Sequence, residues 1–278
     1  MTGIRTVAGI ECRHRPASGG PDVAMLHGIG SNLGSFDRLS ALLPESWGLL
    51  AWNAPGYGAS TPLDDPSPRA VDYAERLNAL LDALGIGPAV LVGHSLGTLM
   101  SVAFAGRWPE RVSGIALFAC AQGHGAAKGQ LGEKAQARLD DLAKLGAEQF
   151  ARTRAPRLVY EPADKPEVTR AAIESMAAVN PGGYSQAVHM LASGDLAGSA
   201  VKARRPSLVV VGAEDIITPP AQSRAVHAAL SAASPDLIHD FAEIPGCGHL
   251  VHQEDPGAVA ALLANFVETV EAKRRGAA

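Results

Sequence analysis

The chain has 278 residues with 24 Lys and Arg against 28 Asp and Glu. A net charge of −4 gives no electrostatic reason to expect nucleic acid or an anionic membrane as a partner. With 47% hydrophobic and 19% charged residues the chain is not largely disordered, and its length suits one large α/β domain carrying an insertion.

Taken from the N-terminus, residues 1–20 hold Arg5, Glu11, Arg13 and Arg15 and no long apolar run, so no signal peptide is visible and a cytoplasmic location is expected. Residues 22–27 read as a buried strand, followed by a helix over 35–43, a second strand over 47–52 and the turn Pro55-Gly-Tyr-Gly58. Val71, Ala74, Leu77, Leu81 and Leu84 recur at three- and four-residue spacing and predict an amphipathic helix over 69–84, stopped by Gly85. Residues 83–106 contain no Asp, Glu, Lys or Arg and are long enough to span a bilayer. Gly85, Gly87 and Pro88 break that run, and Gly93, His94, Ser95 and Gly97 interrupt it, so it reads as a strand (89–92), a tight turn and a helix (96–107). A strand over 112–119 follows. Residues 122–202 are rich in Ala, Glu, Lys, Arg and Gln, with proline breaks at 156, 162, 166 and 181, and read as a helical insertion. The alternation resumes with a strand (207–211), a helix (220–230), a strand (237–244) and a last helix (256–270). Near-continuous apolar strands separated by helices predict an α/β fold: a mostly parallel sheet with helices on both faces. The core comprises 1–121 and 203–278.

The run Gly93-His-Ser-Leu-Gly97 is a GxSxG pentapeptide between a buried strand and a helix. A sharp turn there holds the central hydroxyl outward, and the helix start offers free N–H groups to a developing oxyanion. A serine needs a general base, and the base needs an orienting acid. His249, between Gly248 and Leu250, follows the strand over 237–244, and Asp215 follows the strand over 207–211. Open parallel sheets build their sites at that edge. The order Ser95, Asp215, His249 fits a nucleophile, an acid and a base. Leu26-His-Gly-Ile-Gly30, after the first buried strand, supplies a small-residue loop, so the N–H groups of Ile29 and Leu96 are the expected oxyanion hole.

The motifs HGIG, WNAPGYGAS, GHSLG, GAED and GCGH, in this order, resemble the α/β-hydrolase fold superfamily. The resemblance implies Ser95 as nucleophile, His249 as base, Asp215 as acid and residues 122–202 as a lid. Within the superfamily, the stretch from Asn180-Pro-Gly-Gly-Tyr-Ser-Gln to Asp195-Leu is most similar to 3-oxoadipate enol-lactonases and related ring-cleavage hydrolases. The chain departs from enol-lactonases in having Leu96-Gly-Thr98 where they usually show Met-Gly-Gly. It departs from the C–C hydrolases in having Leu250 where they usually carry Trp. The expected function is hydrolysis of an ester or lactone, with C–C hydrolysis of a vinylogous diketone and a hydrolase-fold receptor without turnover as alternatives.

No cofactor is implied, and a small-molecule substrate is the one partner expected; no membrane or nucleic acid enters the reading. His249 and His252 are three apart, but no acidic or cysteine partner at ligand spacing accompanies them, so no metal is expected. Cys12, Cys120 and Cys247, odd in number and widely spaced, read as small buried apolar groups. His94 reads as packing beneath the turn. For a substrate carboxylate the insertion offers Arg152, Arg154 and Arg157, with Arg152 or Arg154 expected to point inward. Tyr184, His189 and Met190 are candidates for a pocket roof.

Overall fold

A computed structural model describes residues 3–276. In chain order its elements are β1 (Arg5–Val7), β2 (Ile10–Arg15), β3 (Asp22–Leu26), α1 (Asp37–Ser40), β4 (Gly48–Trp52), α2 (Ala70–Leu84), β5 (Ala89–His94), α3 (Leu96–Arg107) and β6 (Val112–Phe118). After these come α4 (Glu133–Arg154), α5 (Pro166–Ala177), α6 (Pro181–Ser193), α7 (Leu196–Ala203), β7 (Ser207–Gly212), α8 (Pro220–Ala233), β8 (His239–Ile244), α9 (Val251–Glu254) and α10 (Pro256–Gly276). The strands form one sheet in the order β1-β2-β4-β3-β5-β6-β7-β8, with β1 and β2 antiparallel and the rest parallel.

Side chains alternate across the central strands and both faces are buried. Ala24, Leu26, Leu50, Ala89 and Leu91 join the cluster under α2, α3, α7 and α8, whereas Val23, Met25, Leu49, Val90 and Val92 face α1, α9 and α10. That two-sided burial is why these strands read as unbroken apolar runs. The charge-free stretch 83–106 resolves into the end of α2, the strand β5 and all of α3 but its last residue, and among the described residues no helix is long and apolar enough to cross a membrane.

Local signals set the ends. The Asp72 carboxylate accepts the Arg69 N–H at 2.7 Å to start α2, and Gly85, at φ 67°, stops it. The helix expected over 35–43 is a 3-10 turn (Leu33–Phe36) running into the short α1. The hairpin β1–β2 was not among the expected elements. β2 alternates buried Ile10, Cys12 and His14 with half-buried Glu11, Arg13 and Arg15, and it pairs with β4.

Within residues 122–202, α4 packs against both α5 and α6, and the three lie across the carboxyl edge of the sheet, whereas α7 packs against α3 and α8 in the core layer. α4 is broken at Gly146, whose φ of 71° and ψ of 162° are not helical. Two glycine contacts hold this layer down at the level of backbone. A Cβ on Gly183 would fall 2.0 Å from the Gly56 carbonyl oxygen, and one on Gly123 would fall 2.1 Å from that of Gly194.

Candidate active site

Ser95 stands between β5 and α3 at φ 51° and ψ −114°, a left-handed backbone that an L-residue adopts only under constraint. Its N–H donates to the Phe118 carbonyl at 2.8 Å, which fixes the turn to β6. The flanking glycines are obligatory: a Cβ at Gly93 would lie 2.5 Å from the Gly97 carbonyl oxygen, and one at Gly97 2.1 Å from that of Leu26. The Leu96 N–H opens α3 and has no acceptor within the helix by position.

The loop after β3 reaches the same turn. A Cβ on Gly28 would meet His94 Nδ1 at 2.9 Å and Ser95 Cβ at 3.0 Å, so only glycine lets this loop approach. His27 fixes it from behind: Nδ1–H donates to the Gly28 carbonyl at 2.8 Å, and Nε2 accepts the Ala54 N–H at 3.0 Å. That pair of bonds needs a neutral ring, and burial pushes the His27 pKa down to about 4, against the opposing pull of the Gly28 bond.

Asp215 and His249 meet across the ends of β7 and β8. His249 Nδ1–H donates to Asp215 Oδ2 at 2.9 Å, and both residues are buried. Asp215 Oδ1 accepts the N–H groups of Ile217 at 2.8 Å and Thr218 at 2.9 Å. Thr218 Oγ1 lies 2.8 Å from Asp215 Oδ2 and 3.1 Å from His249 Nδ1. Burial alone would raise the Asp215 carboxyl, but the His249 ring and the Thr218 bonds outweigh it and hold the group below its ordinary value. With Nδ1 committed to a carboxylate, the imidazole keeps Nε2 free to exchange a proton. Behind it, His94 Nε2–H donates to the His249 carbonyl at 2.9 Å, and burial lowers the His94 pKa well below the ordinary range.

Ser95, His249, Thr218, Gly28 and Ile29 line one cavity of about 240 Å³, roofed by α4, α5 and α6 and by the segment between α4 and α5. Arg138, Arg154 and Arg157 line it from this roof, and among the described residues no Asp or Glu does.

A serine on a strained strand–helix turn, sharing a cavity with a carboxylate-bound histidine at the carboxyl edge of such a sheet, has a counterpart in known proteins. Residues 22–256 match the family described as the alpha/beta hydrolase fold. The chain is an α/β hydrolase. A pimeloyl-[acyl-carrier protein] methyl ester esterase of Neisseria meningitidis serogroup B is 30% identical over 271 residues, spanning 92% of this chain and 98% of its own. A malate-bound esterase of Thermogutta terrifontis has a similar structure at 23% identity, with a TM-score of 0.82 over 97% of this hydrolase and 99% of its own chain. The enol-lactonase of Burkholderia xenovorans LB400, at 22% identity, gives 0.81 over 96% and 100%.

Of the residues singled out from sequence, Ser95, Ile29 and His249 line the cavity, Asp215 is bonded to His249, and Leu96 follows Ser95 at the start of α3. The roof residues divide. Arg154 and Tyr184 line the cavity, but Arg152 and His189 do not. Arg152 points to solvent with a side chain 61% exposed, paired one turn away with Glu148. Inward-facing Arg154 shares its charge with Asp141 at 2.8 Å and lies over the Phe150 ring. Met190 is buried without lining the cavity. Sequence reasoning missed Arg138 and Thr218. Arg138 sits eight residues before the Gly146 break, in a helix that otherwise reads as a charged surface. Thr218 sits three residues beyond Asp215, the spacing of a side-chain-capped turn, which was the available signal. Among the described residues no group of three or more His, Cys, Asp or Glu is placed to hold a metal ion.

Proposed function

We propose that this hydrolase opens a carboxylic ester or lactone through an acyl-enzyme on Ser95, acting on substrates whose acid part carries a second, anionic group. The observation that carries the reading is the union, in one cavity, of a serine at positive φ and an imidazole whose Nδ1 is held by a buried carboxylate.

His249 Nε2 takes the Ser95 proton as Oγ attacks the acyl carbon, and Asp215 keeps the ring in the right tautomer and stabilises the imidazolium. The N–H groups of Ile29 and Leu96 receive the oxyanion. His249 then returns the proton to the leaving alkoxide, and water, deprotonated by the same ring, releases the acid. α4, α5 and α6 act as the lid. A buried anion needs a cation, and Arg138 and Arg157 have no ion-pair partner among the described residues while Arg154 shares Asp141. Relatives named methyl ester esterases support an ester over a C–C bond as the cleaved group.

A half-ester of a dicarboxylic acid, an enol-lactone acid and a neutral aryl ester, tested with wild type, Ser95→Ala and His249→Ala, decide the matter. Each variant is expected to fold and to lose at least about 10³-fold in kcat on every substrate turned over. Substantial turnover by Ser95→Ala overturns the acyl-enzyme, and wild type inert towards all three overturns the enzyme reading in favour of a receptor.

A further inference from the structure

The loop that carries His249 is tied to the roof of the cavity through one buried carboxylate. Glu254 closes α9 with a side chain 0% exposed, and its two oxygens serve different partners. Oε1 accepts the N–H groups of Gly248 at 3.0 Å and Leu250 at 3.2 Å, the residues on either side of His249. Oε2 accepts the Tyr160 N–H at 3.0 Å and Lys165 Nζ at 2.8 Å, both from the segment linking α4 to α5. The same segment reaches His249 directly, because the Leu158 carbonyl accepts the His249 N–H at 2.8 Å. Lys165 Nζ also donates to the Gly246 carbonyl, where the loop begins. The approach is close enough to demand glycine: a Cβ on Gly248 would lie 2.8 Å from the Tyr160 nitrogen and 3.0 Å from the Leu158 oxygen.

A buried carboxylate persists where it is fully hydrogen-bonded, and this one has four donors, two from each side. All four donors bond this carboxylate, and Tyr160, Lys165 and Gly248 do not line the cavity. Their common effect is to fix residues 246–250 against 158–165, so that the imidazole stands where the roof segment holds it. We infer that Glu254 and Lys165 form a latch that positions His249 from the roof. Glu254 and Lys165 are positioning residues, and residues 158–165 are a static part of the lid, unable to lift without displacing His249. Leu158 and Arg157 line the cavity, so a substrate pressing on this segment presses on the same backbone that orients His249.

The inference rests on His249 being the general base, and the experiment separates the two. Kinetics of the neutral aryl ester are measured for wild type, His249→Ala, Lys165→Met, Lys165→Arg and Glu254→Gln, with Tm recorded for each. Lys165 is partly exposed, so its variants are expected to fold, and they decide the matter even if Glu254→Gln does not. Lys165→Met should lower kcat about 10-fold with KM within about twofold, since misplacing a reacting group by under 1 Å costs rate and spares binding. Lys165→Arg, which restores a cation, should recover most of that loss. Glu254→Gln should lose more, because an amide nitrogen would face two donors on one side of the latch. If His249→Ala retains turnover, the base assignment fails. If His249→Ala is inactive but Lys165→Met matches wild type, or raises KM with kcat unchanged, the latch fails while the assignment stands. A loss of kcat that Lys165→Arg does not recover also overturns it.

Discussion

His252 offers a sharp test of how burial controls charge behind the active site. Its ring lies between Phe36 at 5.0 Å, His94 at 4.5 Å and Phe118 at 6.2 Å, and neither ring nitrogen has a hydrogen-bond partner. Burial, aided by the charge of His249, pushes its pKa down to about 3 from an ordinary 6.5. As pH falls below 6.5 the unfolded chain therefore takes up a proton here that the folded protein refuses, down to about pH 3. The associated stability is present above 6.5 and is lost on acidification. For one such site the loss is RT ln(1 + 10^(6.5 − pH)), roughly 0.2 kcal/mol at pH 7 and roughly 2 kcal/mol at pH 5. His252→Phe keeps an aromatic ring in an aromatic niche and cannot be protonated. The stability difference between variant and wild type should thus move by about 2 kcal/mol in favour of the variant between pH 7 and pH 5. Urea unfolding of both proteins at the two pH values measures this. A difference that is the same at pH 5 as at pH 7 refutes the reasoning, whatever its size.

The remaining predictions concern the site itself. Asp215→Asn should fold and lower kcat by about 10⁴-fold, because an amide favours the wrong imidazole tautomer. Glu214→Gln should stay within a few-fold of wild type in the same assay, since the Glu214 carboxylate bonds the Cys247 N–H at 3.1 Å and not the ring. A reversed result moves the acid by one residue. Arg157→Met should raise KM for the half-ester about 10-fold or more and leave the neutral aryl ester unchanged, while solvent-facing Arg152→Met should alter neither. Equal effects of Arg157→Met on both substrates would remove the anion from the specificity.

The parallel core was legible because its strands are apolar on both faces: Val90, Leu91 and Val92 point to opposite layers and are all buried. The site was legible where backbone chemistry restricts residue choice, as at Gly93, Ser95 and Gly97. β1 and β2 were not, because an edge hairpin buried on one side mixes Glu11, Arg13 and Arg15 with Ile10 and Cys12 and lacks the apolar run that marked the other strands. The roof resisted reading for a further reason. Arg152 and Arg154 are two apart on one helix and so face different directions, one to Glu148 and solvent, the other to Asp141 and the cavity. Sequence brought both forward as candidates, and only the packing of α4 separated them. Glu254 and Lys165, 89 residues apart, carried no sequence signal of their meeting.

The glycine contacts at 56 with 183 and at 123 with 194 limit how this protein can be recombined. A methyl group on either Gly56 or Gly183 would overlap the backbone of the other, and one on Gly123 would overlap the Gly194 carbonyl. Gly56, Gly183 and Gly123 cannot drift singly, even to alanine, however freely the exposed helix surfaces between them vary. A chimera that takes residues 133–193 from a relative keeps Gly56, Gly123 and Gly194 from its host and imports its own residue at 183. It seats only if that residue is again glycine. The boundaries of an exchangeable module are therefore drawn by these backbone contacts and not by the ends of helices, and a graft must bring its partner loops or match them.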